Sequence, residues 1–342
     1  MDPQDTSTPI AVIGAGSWGT ALAQLLASQG FPVHLWALEP EVAKAIATHR
    51  ENSFFLKGIP LSENIFPTSD IAQALADKPL VLSVVPSQWV RETAEKMAPF
   101  ISPNAIVVSC TKGIEVGTRV TMTAILREKL TSIDPKNVCV LSGPSFAREV
   151  ACGLPTVVTV AAASREVSGL VQQVFHTPTF RVYTNDDVIG VEVAGAVKNV
   201  MAIAAGICDG LNLGANARAA MITRGLTEIR RLGKALGANP RTFTGLAGVG
   251  DLLLTCTTAQ SRNFTVGCKM GQGQKLADIL ADMRMVAEGV RNAKSVYNLS
   301  RQVAVDMPIV AETYRILYED LNPARALANL MTRKLKNELD ED

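Results

Sequence analysis

Residues 10–23 read Ile10-Ala11-Val12-Ile13-Gly14-Ala15-Gly16-Ser17-Trp18-Gly19-Thr20-Ala21-Leu22-Ala23. A short apolar run enters G-x-G-x-x-G, and the last glycine opens a helical pattern over Thr20–Gln29. Strand, turn and helix stand in the order a dinucleotide site needs. Gly14 permits the tight turn, Gly16 lets a pyrophosphate approach the backbone, and Gly19 lets helix and strand pack closely. The free N–H groups and dipole of the helix start favour an anion. A purely structural glycine turn is the competing reading of the same residues.

The next apolar run, Pro32–Ala37, ends at Leu38-Glu39. A carboxylate at that place accepts hydrogen bonds from ribose hydroxyls and repels a 2′-phosphate, so Glu39 leans toward NAD over NADP. Glu39 also suits the start of the following helix. Further strands are expected at Leu80–Val85, Ala105–Ser109, Val138–Leu141, Thr156–Ala161 and Phe180–Tyr183. Between several of them lie amphipathic stretches such as Glu41–Thr48, Trp89–Met97 and Thr121–Leu130. Such alternation predicts a mostly parallel, doubly wound α/β sheet of Rossmann type. Ser87 and Gln88 follow one of these strands and either border the ligand edge or simply start a helix.

The character changes near Asn185–Ile189. Beyond it no strand is evident, and Glu192–Ile207, Ala217–Leu236, Lys275–Ala281, Glu288–Gln302 and Ala311–Tyr318 read as helices. Pro308 and Pro323 sit where helices can start. We therefore expect two domains, residues 1–189 of Rossmann type and 190–342 all-α. The charged tail from Arg333 reads as a solvated end or an extension of a last helix.

Composition narrows the class. The chain has 342 residues, 47% hydrophobic and 19% charged, with a net charge of +1. That balance predicts a packed globular protein without a nucleic-acid surface. Cys110, Cys139, Cys152, Cys208, Cys256 and Cys268 form no Cys-x-x-Cys pair, and His34, His49 and His176 are dispersed. No metal site is expected, and the thiols read as reduced. The opening residues Met1–Pro9 show no targeting pattern, so a cytoplasmic location is expected. The most apolar stretches, Val191–Ile207 and Leu246–Leu254, carry Gly, Lys, Glu or Asp and read as buried helices, not membrane spans.

Several motifs carry chemistry. Thr111-Lys112-Gly113 and Ser142-Gly143-Pro144-Ser145 each follow an expected strand, which places them on the ligand edge. Gly143-Pro144-Ser145, read as opening a helix, offers N–H groups and a hydroxyl to oxygen atoms. Lys198 and Asn199 lie on the expected central helix, with Lys198 inside an apolar run. A buried lysine needs a partner, and it can exchange a proton with a carbonyl or alcohol oxygen. The same lysine could instead snorkel to solvent or pair with Glu192. Gly248-Val249-Gly250-Asp251 sets one carboxylate in an apolar setting, and Ser261-Arg262-Asn263 offers a guanidinium fork suited to phosphate. Either set also fits a helix cap or a surface turn.

Together these motifs resemble the bacterial-type NAD(P)-dependent glycerol-3-phosphate dehydrogenases. The likeness spans Gly14–Ala23, Lys112–Glu115, Ser142–Val150, Glu192–Ile207, Leu211–Ile229, Thr244–Thr257, Ser261–Asn263 and Val286–Val290. It implies hydride transfer between NAD(H) or NADP(H) and dihydroxyacetone phosphate, giving glycerol 3-phosphate for phospholipid synthesis, with no metal. It implies Lys198 as general acid/base and Lys112 as a contact of both substrate and cofactor. Gly143, Ser145, Asp251, Ser261, Arg262 and Asn263 would complete the substrate pocket. Ser17, Trp18, Ala147, Arg262, Val286 and Glu288 would join Gly14, Gly16, Gly19 and Glu39 at the cofactor. The resemblance further implies an active site in a cleft between the domains, and a homodimer. Two departures stand out. Many relatives carry Arg where Leu38 stands, and their Asn-x-x-Tyr-Leu-Pro-Gly stretch is here Asn52-Ser53-Phe54-Phe55-Leu56-Lys57-Gly58. Two rivals share the general pattern: a hydroxyacid or ketopantoate reductase, whose carboxylate Arg262 would bind, and an NAD(H) sensor without turnover.

Overall fold

The computed structural model describes residues 2–283 and 287–338. The chain divides into two compact units: the residues through Lys112 with Met122–Val188, and Gly113–Thr121 with the chain from Ile189 onward. The expected division at 189/190 has no place for the excursion Gly113–Thr121. Its cause is packing. Ile114 is buried within the second apolar core, and Arg119 donates to the Gln302 side chain.

The first unit is built on eight strands: β1 Ile10–Ile13, β2 Val33–Trp36, β3 Ile65–Thr68, β4 Leu80–Ser83, β5 Ile106–Ser109, β6 Val138–Ser142, β7 Thr156–Ala161 and β8 Phe180–Asn185. Their order in the sheet is β3-β2-β1-β4-β5-β6-β7-β8. All neighbours run parallel except β6 and β7. Central strands such as β1 and β4 are buried on both faces, which is why they are continuous apolar runs. Strand β3 escaped the sequence reading because it contains Pro67, which lacks a ladder donor and is tolerated at this edge. The helices are α1 Ser17–Ala27, α2 Pro40–His49, α3 Ile71–Leu75, α4 Val90–Met97, α5 Met122–Lys129, α6 Ala147–Ala151 and α7 Arg165–Phe175. The sheet order reverses between β1 and β4, so the carboxyl ends of those strands form a switch point, where α/β sheets bind ligands.

The second unit is helical: α8 Val188–Gly210, α9 Gly214–Ala235, α10 Asp251–Cys256, α11 Arg262–Gly271, α12 Leu276–Ala281, α13 Glu288–Gln302, α14 Pro308–Tyr318 and α15 Pro323–Met331. Pro308 and Pro323 each open a helix, where a missing N–H costs nothing. Helix α8 is long and apolar enough to span a membrane, but 89% of its apolar window is buried within the protein, as in a core helix. Its backbone meets that of α11 directly. A Cβ on Gly206 would lie 2.0 Å from Phe264 O, and one on Gly267 would lie 2.0 Å from Ile203 O. Small residues at these turns let the two helices approach closely. That approach sets the start of α11 beside the middle of α8. The stretch Leu246–Leu254 is not one regular helix. Leu246–Gly250 forms a π turn ahead of α10, and Leu253 is exposed.

Candidate active site

In the first unit the glycine turn joins β1 to α1 at the switch point. Gly14 has φ +118°, and a Cβ there would lie 2.8 Å from Val84 O. A Cβ on Gly19 would lie 1.8 Å from Gly14 O. Both glycines are demanded by the protein's own packing. Gly16 is different: a Cβ there would meet nothing within 4 Å. The protein's own packing does not demand a glycine there. Gly16 also begins α1 without a side-chain cap, leaving the helix start open toward an anion.

Loop 52–58 is laced to this turn. Asn52, fully buried, donates to Ala15 O and Thr20 Oγ1, both at 2.8 Å. Ser17 Oγ donates to Phe55 O at 2.6 Å, and Arg148 donates to Lys57 O at 2.9 Å. The links at Phe55 and Lys57 use backbone carbonyls, so the two departures from the family stretch leave them intact. Trp18 is half-buried against the core. Glu39 lies beyond β2, at the N-cap of α2, and makes no side-chain cap bond. Leu38 beside it is 61% exposed.

The carboxyl ends of β4, β5 and β6 hold the other candidates. Lys112 Nζ donates to Gly143 O at 3.0 Å, and Ser145 Oγ donates to the same oxygen at 2.9 Å. Gly143 has φ +146°, and a Cβ would lie 2.9 Å from Val158 Cα. These residues precede the helix, which begins only at Ala147 and is five residues long. The expectation that Gly143-Pro144-Ser145 opens a helix is corrected: they form the turn before it. Gln88 Oε1, Ser109 Oγ and Ser142 Oγ are buried here without a hydrogen-bond partner. Orphaned polar atoms on the ligand edge, with the uncovered Gly16, fit a bound dinucleotide.

The second unit holds the candidate acid–base group. Lys198 is 6% exposed on α8, flanked by Val197 and Val200. Its Nζ donates to Asp251 Oδ1 at 2.8 Å and to Thr255 Oγ1 at 2.6 Å. Thr255 Oγ1 donates in turn to Asp251 O at 2.6 Å. Thus the lysine turns inward to Asp251. Thr255 was missed in the sequence, although it stands four residues after Asp251 on one helix face. Burial pushes the adjacent Cys256 thiol up to about 12, which leaves it without nucleophilic character at neutral pH.

Ser261 caps α11 by accepting from Phe264 N at 3.3 Å. Arg262 and Asn263 therefore occupy the first turn, whose N–H groups precede any intrahelical acceptor. Arg262 is exposed by surface area, yet neighbouring protein atoms partly desolvate its guanidinium and pull it below its usual pKa, and the Glu288 carboxylate at the start of α13 opposes that pull. Asn263 donates to Asn199 Oδ1 at 3.0 Å and accepts from Gly289 N at 2.9 Å. Val286 lies outside the described residues. Among the described residues no group of three or more His, Cys, Asp or Glu side chains is arranged to hold a metal.

Comparison with known proteins shows the family. The chain matches the NAD-dependent glycerol-3-phosphate dehydrogenase N-terminus over residues 9–168 and the corresponding C-terminus over residues 187–328. It is 54% identical to a glycerol-3-phosphate dehydrogenase (NAD(P)+) of Geobacter sp. (strain M21), covering 96% of this chain and 98% of that one. It is 53% identical to the enzyme of the same name from Syntrophobacter fumaroxidans, covering 97% and 98%. The crystal structure of glycerol-3-phosphate dehydrogenase from Coxiella burnetii superposes with a TM-score of 0.92 at 41% identity, covering 96% of this chain and all of that one. This chain belongs to the NAD-dependent glycerol-3-phosphate dehydrogenase family.

Proposed function

We propose that the protein interconverts dihydroxyacetone phosphate and sn-glycerol 3-phosphate with NAD(H) or NADP(H). The observation that carries this reading is the buried Lys198 ammonium, held by Asp251 and Thr255. A bound nicotinamide supplies the hydride. Gly16 and the start of α1 would hold the pyrophosphate of the dinucleotide, with Gly14 shaping the turn, and Glu39 would accept from the ribose hydroxyls.

In reduction Lys198 gives a proton to the oxygen developing charge at C2. In oxidation the neutral amine takes that proton from the C2 hydroxyl. The bonds to Asp251 and Thr255 hold the Lys198 ammonium in place on the inner face of α8. Arg262 and the first-turn N–H groups of α11 anchor the phosphate, which orients C2. Lys112, Gly143 and Ser145 form a polar group on the first unit that stabilises charge on substrate oxygen. Arg262 would serve the rival hydroxyacid and ketopantoate readings by binding a carboxylate, so a substrate panel separates them.

Leu38 and Glu39 together favour NADH, since a carboxylate repels a 2′-phosphate. By its likeness to relatives the enzyme works as a cytoplasmic homodimer that supplies glycerol phosphate for phospholipids. The test is initial rates with dihydroxyacetone phosphate, comparing NADH with NADPH, beside a panel of oxo acids. Turnover of dihydroxyacetone phosphate with NADH preferred is the expected result. Turnover confined to oxo acids, or none at all, rejects the reading.

A further inference from the structure

We propose that the side chain of Asn263 is a positioning group for the proton donor and not a ligand of the substrate; the inference rests on the reading of Lys198 above. The amide of Asn263 is 8% exposed and is engaged at both ends. Its nitrogen donates to Asn199 Oδ1 at 3.0 Å. Its oxygen accepts from Gly289 N at 2.9 Å. Each of the three linked residues directly follows one assigned to the site: Asn199 follows Lys198, Asn263 follows Arg262, and Gly289 follows Glu288.

The relay ties three helices by residues far apart in the chain. Gly289 sits in the first turn of α13, where an N–H has no intrahelical acceptor. Ala287, at the N-cap of that helix, has no side chain to satisfy it. Asn263 does so from α11. The approach is tight: a Cβ on Gly289 would lie 2.5 Å from Asn199 O and 2.8 Å from Asn263 Oδ1. A second buried amide, Asn292 on α13, donates to Ala196 O on α8 at 3.3 Å. Turning α8 about its axis would swing Lys198 and would break the Asn199 bond at the same time. The relay therefore holds the rotation of α8 against the starts of α11 and α13. The backbone N–H of Asn263, in the first turn of α11, stays in place under a side-chain substitution.

Steady-state kinetics of Asn263→Ala and Asn263→Asp test this. Misplacing a reacting group by about 1 Å costs on the order of 100-fold in rate, so Asn263→Ala should lose about 10-fold or more in kcat. KM for dihydroxyacetone phosphate should stay within about 3-fold of the parent, because uniform binding is unchanged. The pH at which kcat falls should also shift, which a mere loss of folded enzyme would not produce. Asn263→Asp keeps the acceptor for Gly289 N–H and should retain more kcat than the alanine variant. Should the alanine variant fail to fold, the same split between kcat and KM in the aspartate variant decides. Unchanged kcat, or a raised KM with kcat and pH profile intact, overturns the proposal. A parent enzyme inert toward dihydroxyacetone phosphate with both nucleotides would instead reject the functional reading.

Discussion

Lys198 Nζ lies 2.8 Å from Asp251 Oδ1, and the two residues are 6% and 1% exposed. Fifty-three residues separate them in the chain. Removing one partner of such a pair leaves the other charge buried and uncompensated. We expect Lys198→Ala to cut turnover by about 100-fold or more while NADH still binds. Thr255→Val, which keeps the shape and removes the hydroxyl, should give a smaller loss, about 10-fold. Single-turnover rates alongside NADH fluorescence titration measure both. Near-parental turnover in Lys198→Ala would remove the lysine from the chemistry.

Arg262→Ala should weaken phosphate-bearing ligands by about 10- to 100-fold, the range of a charged hydrogen bond. Unphosphorylated dihydroxyacetone should be much less affected. Equal losses for both compounds would show that Arg262 does not anchor phosphate.

The glycine turn separates two roles that a motif merges. Gly19→Ala drives a Cβ to 1.8 Å from Gly14 O, and the melting temperature should fall sharply. Gly16 has φ −67°, open to any residue, and its Cβ would meet nothing within 4 Å. Gly16→Ala should therefore melt like the parent and bind NADH about 10-fold or more weakly. Unchanged NADH affinity in a folded Gly16→Ala protein would place the pyrophosphate elsewhere.

Glu228 predicts how stability depends on pH. It is 2% exposed and accepts from Ile309 N at 2.7 Å and Val310 N at 3.1 Å, capping α14. Burial pushes its carboxyl up from 4.5 to about 8, against the pull of those N–H groups and of Arg231, while Asp306 adds to the push. The folded state thus holds a proton that the unfolded chain releases above 4.5. Its contribution is complete below 4.5 and is lost as pH rises to about 8. Within that window the slope is about 1.4 kcal/mol per pH unit. Denaturant titrations from pH 5 to 8 should show the decline, and Glu228→Gln should flatten it. An equal slope in both proteins would assign the pH dependence to other groups.

Much of the first unit could be read directly. Its strands are short apolar runs because a parallel sheet buries both faces, and its turn residues lie next to the strands they terminate. β3 could not be read so, since Phe66 and Pro67 at an exposed edge lack the apolar signature. In the second unit the helices were legible from periodicity, yet their partners were not. The glycines at 206 and 267 read as weak points in helices until α8 and α11 are seen backbone to backbone. Lys198 reads as a lysine in an apolar run that could snorkel to solvent or pair with Glu192. Asn263 reads as a substrate ligand only through the resemblance, and nothing local reveals that its amide bonds Asn199 and Gly289.

The amino-acid order by itself determined the mostly parallel α/β class, the glycine turn, the switch to helices near residue 189 and the resemblance to the family. All of these depend on interactions within about one strand–turn–helix unit, where chain geometry leaves few options. The folded chain alone decided which carboxylate meets Lys198, that Gly113–Thr121 packs with the second unit, and that Asn263 joins three helices. Helical periodicity states which face is buried, but the identity of what covers that face depends on how distant helices pack.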